Sequence, residues 1–319
     1  MPLVDLPLAE LEQYQGRNPR PEDFNEFWDA GLAEMRALDP KVELKEHSLA
    51  QSFAECFELR FTGVGGARVF AKLLRPKNLQ APAPAVIGFH GYSMHSGEWA
   101  DKLNYVANGF VVVHMDCRGQ GGKSEDVGGI VGTTLNGHII RGLDDKPEKM
   151  LYRHIFLDCA QLAGIVMDMP EVDMSRVGVM GGSQGGGLTI ACAALEPRIA
   201  KAAPTFPFLS DYQRVWEMDL ATNAYAELKT FFRNHDPRHE RKAQIFRQLG
   251  YIDIQHLAPR IQAEVMMGVG LMDTICPPST QFAAFNKINS KKRHVIYPDF
   301  GHEGLPGFND MVYEFIGSL

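Results

Sequence analysis

Apolar positions along this chain follow two rhythms, one of three to four residues and one nearly continuous over short runs. After Pro19 and Pro21, the residues Phe24, Phe27, Trp28, Leu32 and Met35 recur at helical spacing, which predicts an amphipathic helix within an N-terminal extension, residues 1–50, that must lie on something. β-like runs follow at Val42–Leu44, Cys56–Phe61 and Val69–Leu74, the last stopped by Pro76. The pattern then changes. Ala85–Phe89 and Val111–Met115 are almost wholly apolar, as suits strands covered on both faces of a parallel sheet. Further strands are expected at Arg176–Met180, Ala200–Phe206, Val265–Val269 and His294–Tyr297. Between them, Leu151, Ile155, Cys159, Leu162 and Val166 form one helical stripe, and Phe308, Met311, Val312, Phe315 and Ile316 form another. Strand alternating with helix predicts an α/β fold, a mostly parallel central sheet with helices on both faces.

Two stretches break the alternation. Residues 119–150 are rich in glycine and have no convincing period over a length that a plain connection would not need. Residues 208–260 hold helical pieces and many charges between two strands expected to be neighbours. This second stretch reads as a helical insertion over the carboxyl edge of the sheet, where α/β ligand sites lie, or more simply as surface helices on the core. With no internal repeat and no low-complexity tract, residues 1–319 are expected to form one decorated domain.

Composition narrows the class. At 45% hydrophobic and 22% charged residues, the chain can bury a large core, which excludes disordered and fibrous classes. The balance of 32 basic against 39 acidic residues gives a formal charge of −7, the wrong sign for gripping nucleic acid or anionic lipid. Asp5, Glu10 and Glu12 stand where a secretory signal would need a basic end and an apolar stretch. No run approaches 18 apolar residues, so no membrane partner is expected. Five widely spaced cysteines without a CxxC indicate neither a disulfide framework nor a zinc knuckle. The expected compartment is the cytoplasm.

The chemistry concentrates at Arg176–Leu188. A β-branched strand runs into Gly181-Gly182-Ser183-Gln184-Gly185 and a helical run follows, the strand–turn–helix context of a nucleophile elbow. Glycine at 181 and 185 lets strand and helix approach without side-chain collision. A serine hydroxyl is a poor nucleophile at neutral pH and needs a positioned base, itself oriented by an acid. Downstream lie His235, His239, His256, His294 and His302. His302 is the best candidate, because it follows a strand end and precedes the last helix. Asp273, on a loop after the strand Val265–Val269, is the preferred acid, with Asp299 and Glu303 as alternatives whose simpler role is local turn chemistry. A tetrahedral intermediate also needs donors. The main-chain N–H of Gln184 is one. That of Tyr92, in His90-Gly91-Tyr92-Ser93 directly after a strand, is the other; the Tyr92 ring either walls an acyl pocket or packs for stability.

Three decoys fail on spacing. Gly119–Ser124 resembles a phosphate loop, but Cys117 occupies the place of its first glycine. His302-Glu303 opens like a zinc-protease motif, but Pro306 stands where the second histidine belongs. His235 and His239 have ligand spacing broken by Pro237. No metal or cofactor is indicated.

In order along the chain, Arg118-Gly119-Gln120, Gly181–Gly185, Gly270-Leu271-Met272-Asp273, Cys276-Pro277-Pro278-Ser279-Thr280 and His302-Glu303 resemble the signatures of carbohydrate esterase family seven. That family contains acetyl xylan esterases and cephalosporin C deacetylases. The likeness extends through His90-Gly91-Tyr92, Tyr152-Arg153, Phe156-Leu157-Asp158 and Tyr225-Ala226-Glu227, and so covers most of the chain. It implies an α/β-hydrolase fold, a Ser183–Asp273–His302 triad, Tyr92 and Gln184 as oxyanion donors, no cofactor, a small acetylated carbohydrate as substrate, and an intracellular homohexamer. It departs from the family at Ala224, where many members have proline, and in the Gly121–Gly142 loop. Arg118 and Gln120 read as structural support for the elbow rather than as chemical participants.

Overall fold

The computed structural model describes residues 4–132 and 134–319. Nine strands, β1 (Glu43–Glu46), β2 (Ala54–Thr62), β3 (Arg68–Pro76), β4 (Ala83–Phe89), β5 (Val111–Met115), β6 (Val172–Gly182), β7 (Lys201–Thr205), β8 (Glu264–Gly270) and β9 (Lys292–Tyr297), form one sheet in the order β1-β2-β3-β5-β4-β6-β7-β8-β9. The first three strands pair antiparallel with each other and with β5, and every pairing from β5 through β4 to β9 is parallel. This is the α/β-hydrolase arrangement. The chain leaves β4 toward β5 on one side and leaves β6 toward β7 on the other. Strand order therefore reverses between β4 and β6, and the crevice outside their carboxyl ends is where α/β sheets place ligands.

Alternation within the parallel strands sends side chains into two cores. Ala85, Ile87, Val111, Val113, Val177 and Val179 join one cluster with α2 (Phe24–Arg36), α4 (Leu151–Met167) and α5 (Gln184–Leu195). Val86, Val112, Ala203 and Met266 join the other with α3 (Leu103–Ala107) and α11 (Phe308–Gly317). The short α1 (Leu8–Leu11) precedes α2, and α10 (Pro278–Phe285) lies between β8 and β9. The expected strands and stripes are present, with small shifts of boundary. β9 begins at Lys292, so His294 is its third residue rather than its first.

Residues 208–260 contain α6 (Tyr212–Glu217), α7 (Ala226–His235), α8 (Lys242–Leu249) and α9 (Ile254–Leu257), inserted between the paired strands β7 and β8. The insertion is fastened to the N-terminal segment. The Asp211 carboxylate accepts hydrogen bonds from the Tyr14 hydroxyl (2.8 Å) and the Asn18 N–H (2.7 Å). Trp28 on α2 donates its indole N–H to the Tyr251 carbonyl (3.0 Å) and stacks on Phe156 of α4 at 5.8 Å. Fully burying such a ring contributes roughly 3 kcal/mol. The 119–150 stretch carries an isolated bridge between Glu125 and Val131 but no strand or α-helix among its described residues.

Candidate active site

β6 turns into α5 at Ser183, whose backbone sits at φ 57°, ψ −120°. A non-glycine residue there costs of order 1–3 kcal/mol. The turn is held by the Ser183 N–H donating to the Thr205 carbonyl and by the Ser183 carbonyl accepting from the N–H groups of Gly187 and Phe208, each at 3.0 Å. Glycine is obligatory on either side. A Cβ on Gly181 would lie 2.6 Å from the backbone of Gly185, and one on Gly185 would lie 2.2 Å from the Phe89 carbonyl oxygen. These contacts are backbone against backbone, so no side-chain adjustment relieves them.

The loops after β8 and β9 bring the other two candidates to this turn. His302 Nε2 lies 2.9 Å from Ser183 Oγ, and its Nδ1 lies 2.8 Å from Asp273 Oδ2. Asp273 is wholly buried. Its charge is compensated by hydrogen bonds: Oδ1 accepts from the N–H groups of Ile275 and Cys276, both at 2.8 Å, and Oδ2 from the Gln281 amide at 3.4 Å. The Phe206 ring packs against the imidazole at 4.5 Å between centroids. A hydroxyl, an imidazole and a carboxylate in this sequence can pass a proton away from the hydroxyl oxygen as it attacks a carbonyl. The alternatives lie elsewhere. Asp299 is exposed, and Glu303 accepts from the Gly301 N–H (3.0 Å) within its own turn. His294 packs against Phe282 and Phe285, and His235 and His239 are exposed on the insertion.

Across the β4–β6 crevice, the loop after β4 is tied to the elbow by amides. Gln120 Nε2 donates to Gln184 Oε1 (2.9 Å), Tyr152 donates its hydroxyl to the same oxygen (2.7 Å), and the Ser93 N–H donates to Gln120 Oε1 (3.0 Å). Among the described residues, neither the Tyr92 nor the Gln184 main-chain N–H has a protein acceptor. Arg118 does not reach the site. It forms a fully buried two-pronged pair with Asp158 and donates to the Val64 carbonyl, bracing the strand behind the crevice.

Two residues here escaped the sequence reading. Glu227 on α7 faces the Tyr92 hydroxyl in a hydrogen bond, while its other oxygen accepts from the N–H groups of Ile139 (2.8 Å) and Ile140 (3.1 Å). It thus clamps the β4 loop, the 119–150 stretch and the insertion together. Burial pushes its carboxyl up to about 7. The Tyr92 ring sits between His138 and Phe208, which is a packing role. Cys276 is the second. It is fully buried, three residues after Asp273 on the same loop; burial, and then the charge of Asp273, hold its thiol well above its ordinary pKa. Neither residue carried a spacing signal. Glu227 was visible only as part of Tyr225-Ala226-Glu227, and Cys276 only as part of Cys276-Pro277-Pro278.

The acetyl xylan esterase (AXE1) family model matches residues 1–319. Acetyl xylan esterase 1 from Thermoanaerobacterium sp. JW/SL YS485 is 62% identical and superposes with a TM-score of 0.96, covering 99% of both chains. Acetyl xylan esterase from Paenibacillus sp. R4 is 34% identical with a TM-score of 0.92, covering 98% of this chain and 99% of that one. Acetyl esterase Axe7A from Xylanibacter ruminicola is 27% identical over 284 residues, 87% of this chain, and the chain spans 62% of the length of that relative. The chain belongs to the acetyl xylan esterase family and, through it, to the carboxylic ester hydrolases.

Proposed function

We propose that this protein is a serine esterase that removes O-acetyl groups from small acetylated carbohydrates such as xylo-oligosaccharides, and that the acetyl ester of cephalosporin C is a second substrate. The observation that carries this reading is the chain of contacts from Ser183 Oγ to His302 Nε2 (2.9 Å) and from His302 Nδ1 to Asp273 (2.8 Å). In the proposed reaction Ser183 attacks the acetyl carbonyl as His302 takes its proton. Asp273 fixes the tautomer and stabilises the imidazolium. The negative oxygen of the tetrahedral intermediate accepts from the N–H groups of Tyr92 and Gln184. Its collapse expels the sugar alkoxide, which takes the proton from His302. A water molecule then clears the acetyl-enzyme by the same route.

Acetyl preference would come from steric exclusion, since hydrophobic fit discriminates one methylene by only about 1–3 kcal/mol. Val127, Ile130, Val131 and Leu135 are all largely exposed on one loop, which supports burial between subunits of a homohexamer. All five cysteines are unpaired and buried, as suits the cytoplasm. No described helix is long and apolar enough to cross a membrane.

The test is hydrolysis of 4-nitrophenyl acetate, butyrate and octanoate, of acetylated xylo-oligosaccharides and of cephalosporin C, by the wild type and by Ser183→Ala. The expected result is a steep fall in rate with acyl length and loss of turnover by at least 10³-fold in the variant. Equal rates on acetate and octanoate would reject acetyl selectivity. An active Ser183→Ala protein would reject the serine mechanism.

A further inference from the structure

Cys276 enters neither the proton relay nor the oxyanion contacts, yet its thiol shares their pocket. One oxygen of Asp273, the sulfur of Cys276 and one ring nitrogen of His302 all lie within 4.8 Å of one another. Asp273 and Cys276 are wholly buried, and the His302 side chain is 16% exposed. The cluster is therefore dry on two sides and reachable from solvent on the third. Thiolate, imidazole and carboxylate together are the donor set of zinc-type sites. A tetrahedral ion with bonds of about 2.0–2.3 Å spaces its donors roughly 3.3–3.8 Å apart, so three donors lying within 4.8 Å of one another need only side-chain adjustment to hold one. The Ser183 hydroxyl, 2.9 Å from His302 Nε2, or a water molecule stands ready as the fourth donor. The ligands come from two separate loops, which is why no spacing motif announces them.

We propose that Asp273, Cys276 and His302 form a binding site for a thiophilic divalent cation, zinc or cadmium, and that an ion bound there holds the enzyme off. Binding releases the thiol proton to solvent and engages a nitrogen lone pair and a carboxylate oxygen. The imidazole then cannot both hold the ion and accept the proton of Ser183, so nucleophilic attack stops without any covalent change. Hard ions lack affinity for the sulfur, and magnesium leaves the enzyme active. The shutdown, though not the binding, rests on the serine-esterase reading given above.

The experiment titrates the purified full chain with cadmium chloride in chelator-free buffer. It follows the ultraviolet absorption of the cadmium–thiolate bond and 4-nitrophenyl acetate hydrolysis in parallel, for the wild type, Cys276→Ser, Cys276→Ala and Ser183→Ala. In the wild type, absorption is expected to rise to one ion per chain as activity falls, and EDTA to reverse both. In the Cys276 variants the absorption is lost, and inhibition, measured against each variant's own ion-free rate, needs at least ten-fold more cadmium. Having two substitutions at 276 guards against failure of one to fold. Ser183→Ala is expected to bind cadmium with the same absorption, so an active Ser183→Ala protein would sink the esterase reading without touching the metal site. Equal inhibition of wild type and Cys276 variants overturns the proposal, as does absence of the thiolate band in the wild type. A thiolate band with undiminished activity overturns the claim that the ion engages His302.

Discussion

Glu227 shows how one side chain can serve the site without touching the reacting atoms. Its carboxyl holds the Tyr92 hydroxyl and the N–H groups of Ile139 and Ile140, so it fixes the loop that carries a proposed oxyanion donor. Glu227→Gln keeps the shape but changes the donor pattern, and kcat/KM on 4-nitrophenyl acetate is expected to fall about ten-fold, equivalent to about 1.4 kcal/mol. Stability moves the other way. A carboxyl held near 7 in the fold, against an ordinary value of 4.5, stays protonated in the native state where the unfolded chain has ionised. Its contribution is therefore full below about 4.5 and is lost as pH rises through 7. Glutamine does not titrate. Urea unfolding at pH 5 and 8 should show Glu227→Gln gaining on the wild type by up to about 3 kcal/mol at the higher pH. Ser183, Asp273 and His302 were legible in the sequence because a strained turn demands glycines and the partners sit on strand-end loops in a fixed order. Glu227 was not, because one acid on a charged helix reads as a solvated face until the loops that converge on it are known.

At the scale of elements, legibility followed exposure. α2 shows one apolar stripe because its other face meets water, and its stripe was plain. α5 is buried along its whole length, so it has no polar face to give a period, and only the glycine turn before it announced it. β9 hid its first two residues behind charge. Lys292, half-buried, opens the strand with its ammonium donating to the carbonyls of Phe285, Asn286 and Ile288, a use of lysine that alternation cannot reveal. The N-terminal helix is more than decoration, because Trp28 joins α4 to the insertion. Trp28→Ala is expected to cost about 3–5 kcal/mol, read as a lower urea midpoint, with proteolysis entering first at the insertion.

The whole molecule buries titratable groups of both kinds, and their count decides its response to acid. Burial pulls His114, His154 and His256 down to about 3 and His138 to about 4, and lowers His90 as well. The four held near 3 or 4 stay neutral in the fold while the unfolded chain protonates them below about 6.5, so each loses stability as pH falls, and the lowering of His90 acts in the same direction. Glu227 and Asp253, both pushed up to about 7 by burial, oppose this over the same window. Five imidazoles outweigh two carboxyls, and the urea midpoint is expected to drop between pH 7 and pH 5. The exposed apolar loop sets a second property of the whole. If Ile130, 69% exposed, is covered by a neighbouring subunit, Ile130→Asp should shift the mass seen by light scattering toward smaller species while leaving the monomer's circular dichroism unchanged.

The reversal of strand order between β4 and β6 has a kinetic corollary. The proposed nucleophile Ser183 and one of its two proposed oxyanion donors, the Tyr92 N–H, hang from opposite banks of that divide, and the hydrogen-bonded bridge of Gln120, Gln184 and Tyr152 spans it. A chain that has regained its helices but has not yet closed the bridge owns every chemical part of a hydrolase and no working assembly. Turnover should therefore lag behind far-ultraviolet dichroism during refolding from urea, which makes catalysis itself a late reporter of tertiary docking.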